Sequence, residues 1–171
     1  MGGSDNELSN TRIMTNDPNR SSHPRPSWDE YFLQIAHIVA SRSSCPRLSV
    51  GSVIVKDHRI IATGYNGAPS NMPQCNDVGC DMHDGHCLRS VHSEINAIAQ
   101  AAEFNHNLQD LDIYVTHEPC TSCANALRSA GIRNAYFRHH YPSAPNEPNN
   151  DIHKVEINAP LPLPAWGGPT K

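Results

Sequence analysis

Two short motifs carry most of the residues that could do chemistry. The first is His92-Ser93-Glu94, and the second is Pro119-Cys120-Thr121-Ser122-Cys123. One imidazole and two thiolates supply three protein ligands for zinc and leave a fourth position open to water, as in catalytic zinc sites. We therefore predict that His92, Cys120 and Cys123 bind a catalytic zinc ion (Zn²⁺).

Glu94 is the candidate proton carrier of this site. It follows His92 by two residues, so on a helix its side chain points about 200° away from that ligand. That direction suits a catalytic base over the open position better than a fourth ligand. The alternative is a closed structural zinc site, which requires another Cys or His nearby and leaves Glu94 without a role.

The two motifs open helix-like patterns, so helix N-termini should position the ligands. Unpaired N–H groups in a first helical turn stabilise thiolates, and Cys-x-x-Cys places both sulfurs on one side of that turn. We expect these helices over about 91–103 and 120–130. An earlier helix is expected over about 28–42, opened by a capping box of Ser27 and Glu30.

The β-rich runs between the helices predict a mixed sheet. Residues 50–55 and 60–65 should form an antiparallel hairpin. The runs 112–116 and 134–138 flank the second motif helix, and a strand-helix-strand unit implies a parallel, right-handed crossover. The predicted fold class is therefore a three-layer α/β/α domain with a mixed central sheet. A further, weak strand is expected over 153–157.

The two ends of the chain differ in composition from its middle. Residues 1–26 are polar without periodicity, so we expect a disordered N-terminal tail. Residues 142–171 are rich in proline and should be mostly extended. The domain itself is expected over 27–141, which is long enough to bury one core.

Charge and cysteine content narrow the classes of partner. A net charge of −4 without a basic run argues against a nucleic acid polymer, whereas a single nucleotide needs only one or two arginines. The sequence has no apolar run of about eighteen residues and no hydrophobic signal core, so we expect a soluble, cytoplasmic protein without a membrane partner. Six cysteines in such a chain suggest metal ligands before disulfides.

Residues 66–89 are predicted to form a long loop that holds a second group of metal-binding side chains. Three cysteines and one histidine would make a closed structural zinc site that clamps this loop against the first helix. The preferred ligands are Cys45, Cys75, His86 and Cys87. Cys80 and His83 are rival ligands, and free thiols in a flexible loop are the remaining alternative.

The stretch Gly64-Tyr65-Asn66-Gly67-Ala68-Pro69, together with both motifs, resembles the deoxycytidylate (dCMP) deaminases. The similarity covers about 27–141 and is greatest to the bacterial and phage branch that carries an extra zinc cluster. It implies the cytidine deaminase-like fold and zinc-dependent hydrolysis of dCMP to dUMP and ammonia, supplying dUMP for thymidylate synthesis. It also implies a homohexamer that is activated by dCTP with Mg²⁺ and inhibited by dTTP.

The resemblance also assigns roles by position. Glu94 would shuttle protons, Asn66 would contact the sugar, and Tyr141 would lie near the base. The backbone at Ser93 would contact the base carbonyl, although the family usually has Ala at this position. The cluster Cys45, Cys75, His86 and Cys87 looks like the extra zinc site of the family.

A substrate phosphate needs a cation, and three arginines lie near the expected mouth of the site. Arg47 is preferred over Arg89 and Arg138, because it precedes the first strand close to the Asn66 end of the hairpin. Three other functions compete with dCMP deamination. They are deamination of another cytosine nucleotide or cytidine, deamination of tRNA adenosine, and a non-catalytic, zinc-stabilised interaction protein.

Overall fold

A mixed sheet of five strands carries the domain, and the computed structural model describes residues 25–140 and 152–158. In chain order the elements are α1 (Trp28–Ala40), β1 (Gly51–Lys56), β2 (Arg59–Tyr65), α2 (Cys75–Val78), β3 (Met82–His83), β4 (His86–Cys87), α3 (Ser93–Glu103), β5 (Asp112–His117), α4 (Thr121–Ala130), β6 (Asn134–His139) and β7 (His153–Glu156).

The strand order in the sheet is β2-β1-β5-β6-β7. Strand β1 pairs antiparallel with both β2 and β5, whereas β5, β6 and β7 run parallel to one another. The predicted hairpin and the predicted parallel pair around α4 are therefore confirmed. The weak strand expected over 153–157 is confirmed as β7, at the edge of the sheet.

Helices cover both faces of the sheet, because neighbouring residues of each strand point to opposite sides. On one face Val53 packs with Phe32 and Leu33 of α1. On the other face Ile54 packs in a cluster that includes Leu127 of α4 and Ala97 of α3. The result is the predicted three-layer α/β/α architecture with a mixed central sheet.

Each long helix begins at a residue identified in the sequence. The capping box of α1 is confirmed, because Ser27 N–H donates to Glu30 over 2.7 Å and Glu30 N–H donates to the Ser27 hydroxyl over 3.2 Å. His92 is the N-cap of α3, and Cys120 is the N-cap of α4. The two motif helices therefore direct their N-termini, with their unpaired N–H groups, toward the candidate site.

Gly64 allows strand β2 to lie directly against α3. A Cβ atom at this position would collide with the carbonyl oxygen of Ser93 and the amide nitrogen of Ala97. Only a residue without a side chain permits so close an approach of two backbones. The first turn of α3, which carries Glu94, is thus held against the sheet by backbone contact.

The predicted long loop over 66–89 contains regular structure that the sequence analysis did not identify. Helix α2 begins at Cys75, and β3 pairs antiparallel with β4. The turn of this small hairpin is Asp84-Gly85, with φ of 45° and 81°. Asp-Gly between two short strands is a strong hairpin signal, and it was present in the sequence.

Several expectations concern residues that are not described. All of the predicted N-terminal tail except residues 25–26 lies outside the described residues, as do Tyr141 and most of the 142–171 segment. Within residues 25–140 and 152–158, no helix has the length and apolar character needed to cross a membrane.

Candidate active site and metal ligands

A pocket of about 310 Å³ lies where the N-termini of α3 and α4 meet the end of β5. Its wall includes His92 and Glu94 from the first motif and Cys120 from the second. The segment before β1 and the β3–β4 hairpin form much of the remaining wall. The two motifs, far apart in the chain, therefore face one cavity of a size that suits a small ligand.

The three predicted zinc ligands lie close together. The Nδ1 atom of His92 is 3.3 Å from the sulfur of Cys123 and 3.7 Å from the sulfur of Cys120. All three ligand atoms lie within 4.8 Å of one another. A tetrahedral zinc ion with ordinary bond lengths separates a nitrogen ligand from a sulfur ligand by about 3.5 Å. The donor set and its spacing therefore fit zinc.

The electrostatics of this cluster favour a thiolate. The hydrogen bond from Cys123, and then that from His92, lower the pKa of Cys120 to about 4 despite partial burial. The same contact with Cys120, followed by burial, raises the pKa of Cys123. The hydrogen bond to Cys120 raises the pKa of His92. Since zinc ligands bind in their deprotonated forms, the lowered pKa of the Cys120 thiol favours zinc binding at this position.

Glu94 lies at the floor of the pocket and is almost wholly buried, with 4% of its surface exposed. Burial raises its pKa, although its own backbone N–H and the Ser93 hydroxyl act in the opposite direction. A carboxyl group with a raised pKa can both accept and return a proton near neutral pH. This placement matches the role predicted for Glu94.

Asn66 also lines the pocket and holds the segment that precedes β1 in position. Its Nδ2 donates to the carbonyl of Leu48, and its Oδ1 accepts from the N–H of Val50, both over 2.8 Å. An amide group has two donors and two lone pairs, so one of each is left for a ligand. Asn66 therefore combines a structural role with the capacity to contact a sugar.

Of the three candidate phosphate ligands, only Arg47 is among the residues that line this pocket. Its Nη1 donates to the carbonyl oxygen of Gly85 over 3.2 Å and lies 3.4 Å from the sulfur of Met82. The β3–β4 hairpin thus supports the guanidinium group at the pocket wall. Arg89 and Arg138 are described by the structure but are not among the lining residues.

The second group of cysteines differs in composition from the predicted ligand set. Among the described residues, Cys75, Cys80 and Cys87 place their sulfurs within 4.8 Å of one another. Cys80, a rival ligand in the sequence analysis, thus joins two of the preferred ligands. His86 and Cys45 stand outside this compact group, and both line the active-site pocket. Cys45 is nevertheless near enough to Cys80 to raise its pKa further, though burial contributes more.

The thiol of Cys87 is the one in this second group with a lowered pKa. Burial acts to raise it, but backbone hydrogen bonds from Ser90, Arg89 and Asp81 outweigh that effect and lower the pKa to about 7. For Cys75, burial followed by the contact with Cys87 raises the pKa to about 12. The sulfurs of Cys75 and Cys87 are 3.8 Å apart, within hydrogen-bonding distance.

Two features of the site that bear on its chemistry were not predicted by the sequence analysis. Glu118 lines the pocket, and its position directly before Pro119-Cys120 could have drawn attention to it. Ser52 of β1 reaches the catalytic helix, because its hydroxyl lies 2.6 Å from that of Ser93. Nothing in the sequence indicates this second contact, which depends on how β1 packs against α3.

Comparisons with known proteins agree on the family. The model for the cytidine and deoxycytidylate deaminase zinc-binding region matches residues 26–139. ComE operon protein 2 of Bacillus subtilis (strain 168) is 46% identical over 121 residues, covering 71% of this chain and 64% of that protein. The deoxycytidylate deaminase of Mycobacterium phage D29 is 39% identical over 124 residues, covering 66% of this chain and 95% of the phage protein.

A solved structure is also similar over most of the domain. The dCMP deaminase from the cyanophage S-TIM5, crystallised in complex with dCMP and dUMP, superposes with a TM-score of 0.66 at 26% identity. The match covers 79% of this chain and 100% of the cyanophage chain. The chain therefore spans these two phage proteins almost completely but less than two thirds of the Bacillus protein.

Proposed function

The chain belongs to the cytidine and deoxycytidylate deaminase family, and we propose that it hydrolyses dCMP to dUMP and ammonia. The observation that carries this proposal is the buried carboxyl group of Glu94 in the pocket lined by His92 and Cys120, whose ligand atoms lie within 4.8 Å of the Cys123 sulfur. The similarity to phage enzymes named deoxycytidylate deaminases supports dCMP as the substrate.

The residues of the pocket divide the chemistry between them. His92, Cys120 and Cys123 would hold a zinc ion, which supplies Lewis-acid activation of a water molecule. Glu94 accepts a proton from that water and passes it to N3 of the cytosine ring, which makes C4 more electrophilic. The water oxygen bonds to C4 and leaves a hydroxyl group there. Glu94 then takes the second proton, from this hydroxyl, and delivers it to the amino group as the C4–N bond breaks and the C4 carbonyl forms.

Three contacts would orient the nucleotide. Arg47 supplies a positive charge at the pocket wall for the single phosphate, and a guanidinium can bind phosphate with two parallel hydrogen bonds. Asn66 retains one donor and one acceptor for the sugar. The helical hydrogen bonds of α3 begin with the N–H of Asn96, which donates to the carbonyl oxygen of His92. The N–H of Ser93 lies before these bonds, in the first turn of the helix, and suits the base carbonyl as a hydrogen-bond donor. The proposed contact of Tyr141 with the base lies outside the described residues.

We also propose a second, structural zinc ion bound by Cys75, Cys80 and Cys87. Two sulfurs bound to one tetrahedral zinc ion are about 3.8 Å apart, and Cys75 and Cys87 already have this separation of 3.8 Å. Cys45 is the preferred fourth ligand because its charge acts on Cys80. His86, from the set predicted by sequence, is the competing fourth ligand.

Regulation and assembly are proposed from the family resemblance alone. We infer a homohexamer that is activated by dCTP with Mg²⁺ and inhibited by dTTP, so that dUMP production follows the demand for thymidylate. Sedimentation of the zinc-loaded protein, with and without these nucleotides, tests the assembly. A monomer that responds to neither nucleotide would contradict this part of the proposal and leave the deaminase activity unaffected.

The proposed reaction is tested by incubating the zinc-loaded protein with dCMP and measuring ammonia and dUMP. Glu94→Gln keeps the shape of the side chain while removing its proton transfer, so turnover should fall about 10²- to 10⁴-fold with zinc content unchanged. Near-normal turnover by this variant would contradict the role of Glu94.

The substrate assignment has its own controls. Cytidine, dCTP and tRNA are offered in parallel with dCMP, because the same zinc chemistry serves all of them. A preference for any of these three over dCMP would overturn the assigned substrate while retaining the mechanism. Zinc-loaded wild-type protein that deaminates none of them would favour the non-catalytic alternative.

A further inference from the structure

Two buried hydroxyl groups connect the sheet to the catalytic carboxylate. The hydroxyl of Ser52 on β1 lies 2.6 Å from that of Ser93, and the Ser93 hydroxyl donates to Oε2 of Glu94 over 2.9 Å. Ser52 and Ser93 are both 0% exposed, and Glu94 is 4% exposed. The three side chains thus form a hydrogen-bonded chain inside the protein.

The direction of both hydrogen bonds follows from the number of protons. An ionised carboxylate only accepts hydrogen bonds, so the single hydroxyl proton of Ser93 must point to Oε2 of Glu94. Ser93 then has no proton left for Ser52. The Ser52 hydroxyl must therefore donate to Ser93, and both protons point toward the carboxylate.

We propose that Ser52 and Ser93 are positioning residues that fix the orientation of the Glu94 carboxyl group in the pocket. The inference rests on the proposed proton transfer by Glu94. Because Oε2 accepts from the buried Ser93 hydroxyl, the carboxyl group is held in one orientation. The carboxyl group then need not rotate between accepting the proton and delivering it.

The local packing explains why the chain of hydroxyls is rigid. Ser52 shares a face of β1 with Ile54, which packs in the core beneath α3. Gly64 brings β2 against the carbonyl of Ser93, which fixes the first turn of the helix. A hydrogen bond between two such fixed groups loses little entropy on forming, so it can define one carboxylate orientation.

The test compares Ser93→Ala, Ser52→Ala and the double variant. Ser93→Ala should lower kcat for dCMP about tenfold, the effect of losing one hydrogen bond to a charged group, with KM changed less than about twofold. Ser52→Ala should lower kcat by about threefold, since it acts only through Ser93. Zinc content and thermal stability are measured for each protein to identify variants that fail to fold.

Non-additivity separates positioning from a general packing effect. Because Ser52 acts through Ser93, the double variant should be no slower than Ser93→Ala alone. Thr63→Val is the matched control, since Thr63 contacts Gln100 over 3.4 Å and has no bond to Glu94. It should leave kcat unchanged. Wild-type kcat in Ser93→Ala, or a full additional loss in the double variant, would overturn the inference.

A crystal structure supplies a readout that does not depend on turnover. In zinc-loaded wild-type protein the Glu94 carboxylate should adopt one orientation, and in Ser93→Ala it should adopt at least two or a rotated one. An unchanged single orientation in Ser93→Ala would overturn the inference even if the proposed substrate were wrong. Inactive wild-type protein with an ordered Glu94 that moves in the variant would instead contradict only the proposed function.

Discussion

Lys154 of β7 places its ammonium nitrogen 3.1 Å from Oε1 of Glu118 in the active-site wall. The other oxygen of Glu118 lies 3.0 Å from Nδ1 of His140, whose Nε2 is 3.2 Å from Glu156. The C-terminal strand is thus tied to the residue directly before Pro119-Cys120. The position of Glu118 in the pocket wall therefore depends in part on β7, the last strand of the sheet in chain order.

Replacing Lys154 by Met should weaken this attachment. The two side chains are largely shielded from water, with 26% and 18% exposed, so their ion pair is screened less than a surface pair. Leaving Glu118 without its ammonium partner should lower the free energy of unfolding by about 1 kcal/mol, measured by urea denaturation. Lys154→Arg retains the positive charge, so its free energy of unfolding should fall less. Equal stability of the wild type and Lys154→Met would show that the ion pair with Glu118 does not stabilise the attachment of β7.

The pKa of His140 offers a pH test of the same network. The hydrogen bond with Glu118 makes the largest contribution to raising the pKa of His140, and the charge of Glu156 raises this pKa further. A group with a raised pKa in the folded state stabilises fully below its unfolded pKa, about 6.5 for His, and this contribution disappears as pH rises through the folded pKa. Hydrogen exchange in β7 should therefore accelerate as His140 loses its proton.

NMR titration of the His140 ring measures this pKa directly. Glu156→Gln removes one of the two carboxylates, so the pKa should fall toward the ordinary value of His without reaching it while Glu118 remains. Titration of wild-type His140 at or below about 6.5 would show that these contacts do not hold the proton.

Charge reversal at Arg47 tests the proposed phosphate contact. Arg47→Glu should raise KM for dCMP by at least about tenfold, because a charged hydrogen bond is replaced by repulsion. The effect on kcat should be small, since the phosphate is remote from the bond that breaks. Arg59→Glu, at the far end of the β1–β2 hairpin, is the control of equal charge change; similar KM values in both variants would exclude Arg47.

Zinc stoichiometry distinguishes the two candidate sets for the second metal. The wild-type protein should bind two zinc ions per chain, and Cys80→Ser should retain only one. Cys45→Ser should have the same effect if Cys45 is the fourth ligand. His86→Ala should keep both ions, and loss of one ion there, with Cys45→Ser unaffected, would restore His86 to the ligand set. Elemental analysis of the purified variants gives the answer.

Gly64→Ala should be destabilising, because the added methyl group meets the backbone of Ser93 and Ala97. Such overpacking costs about 1–3 kcal/mol and displaces the first turn of α3, so both the free energy of unfolding and kcat should fall. Gly67→Ala is the matched control, since its nearest neighbour is the movable hydroxyl of Ser44. A larger loss of stability in Gly67→Ala than in Gly64→Ala would contradict this account of β2 packing.

Local signals in the sequence predicted most of the elements and the residues that come together at the candidate zinc site. Apolar periodicity and the Ser27 capping box depend on residues a few positions apart, and the structure has them as expected. The same holds for the two motifs, because a ligand at a helix N-terminus is oriented by the first turn that follows it. The Asp84-Gly85 turn was equally local, and its strands of two residues were too short to show periodicity.

Only the tertiary structure decided which residues from separate elements meet. The sequence analysis preferred His86 to Cys80 as a partner of Cys75 and Cys87, but in the structure it is Cys80 whose sulfur lies beside theirs. That arrangement depends on how α2 and the β3–β4 hairpin fold against each other. Ser52 and Ser93 are 41 positions apart, and Lys154 and Glu118 are 36 apart. Their contacts depend on sheet register and helix packing. These bring distant residues together, and no local sequence pattern predicts such contacts.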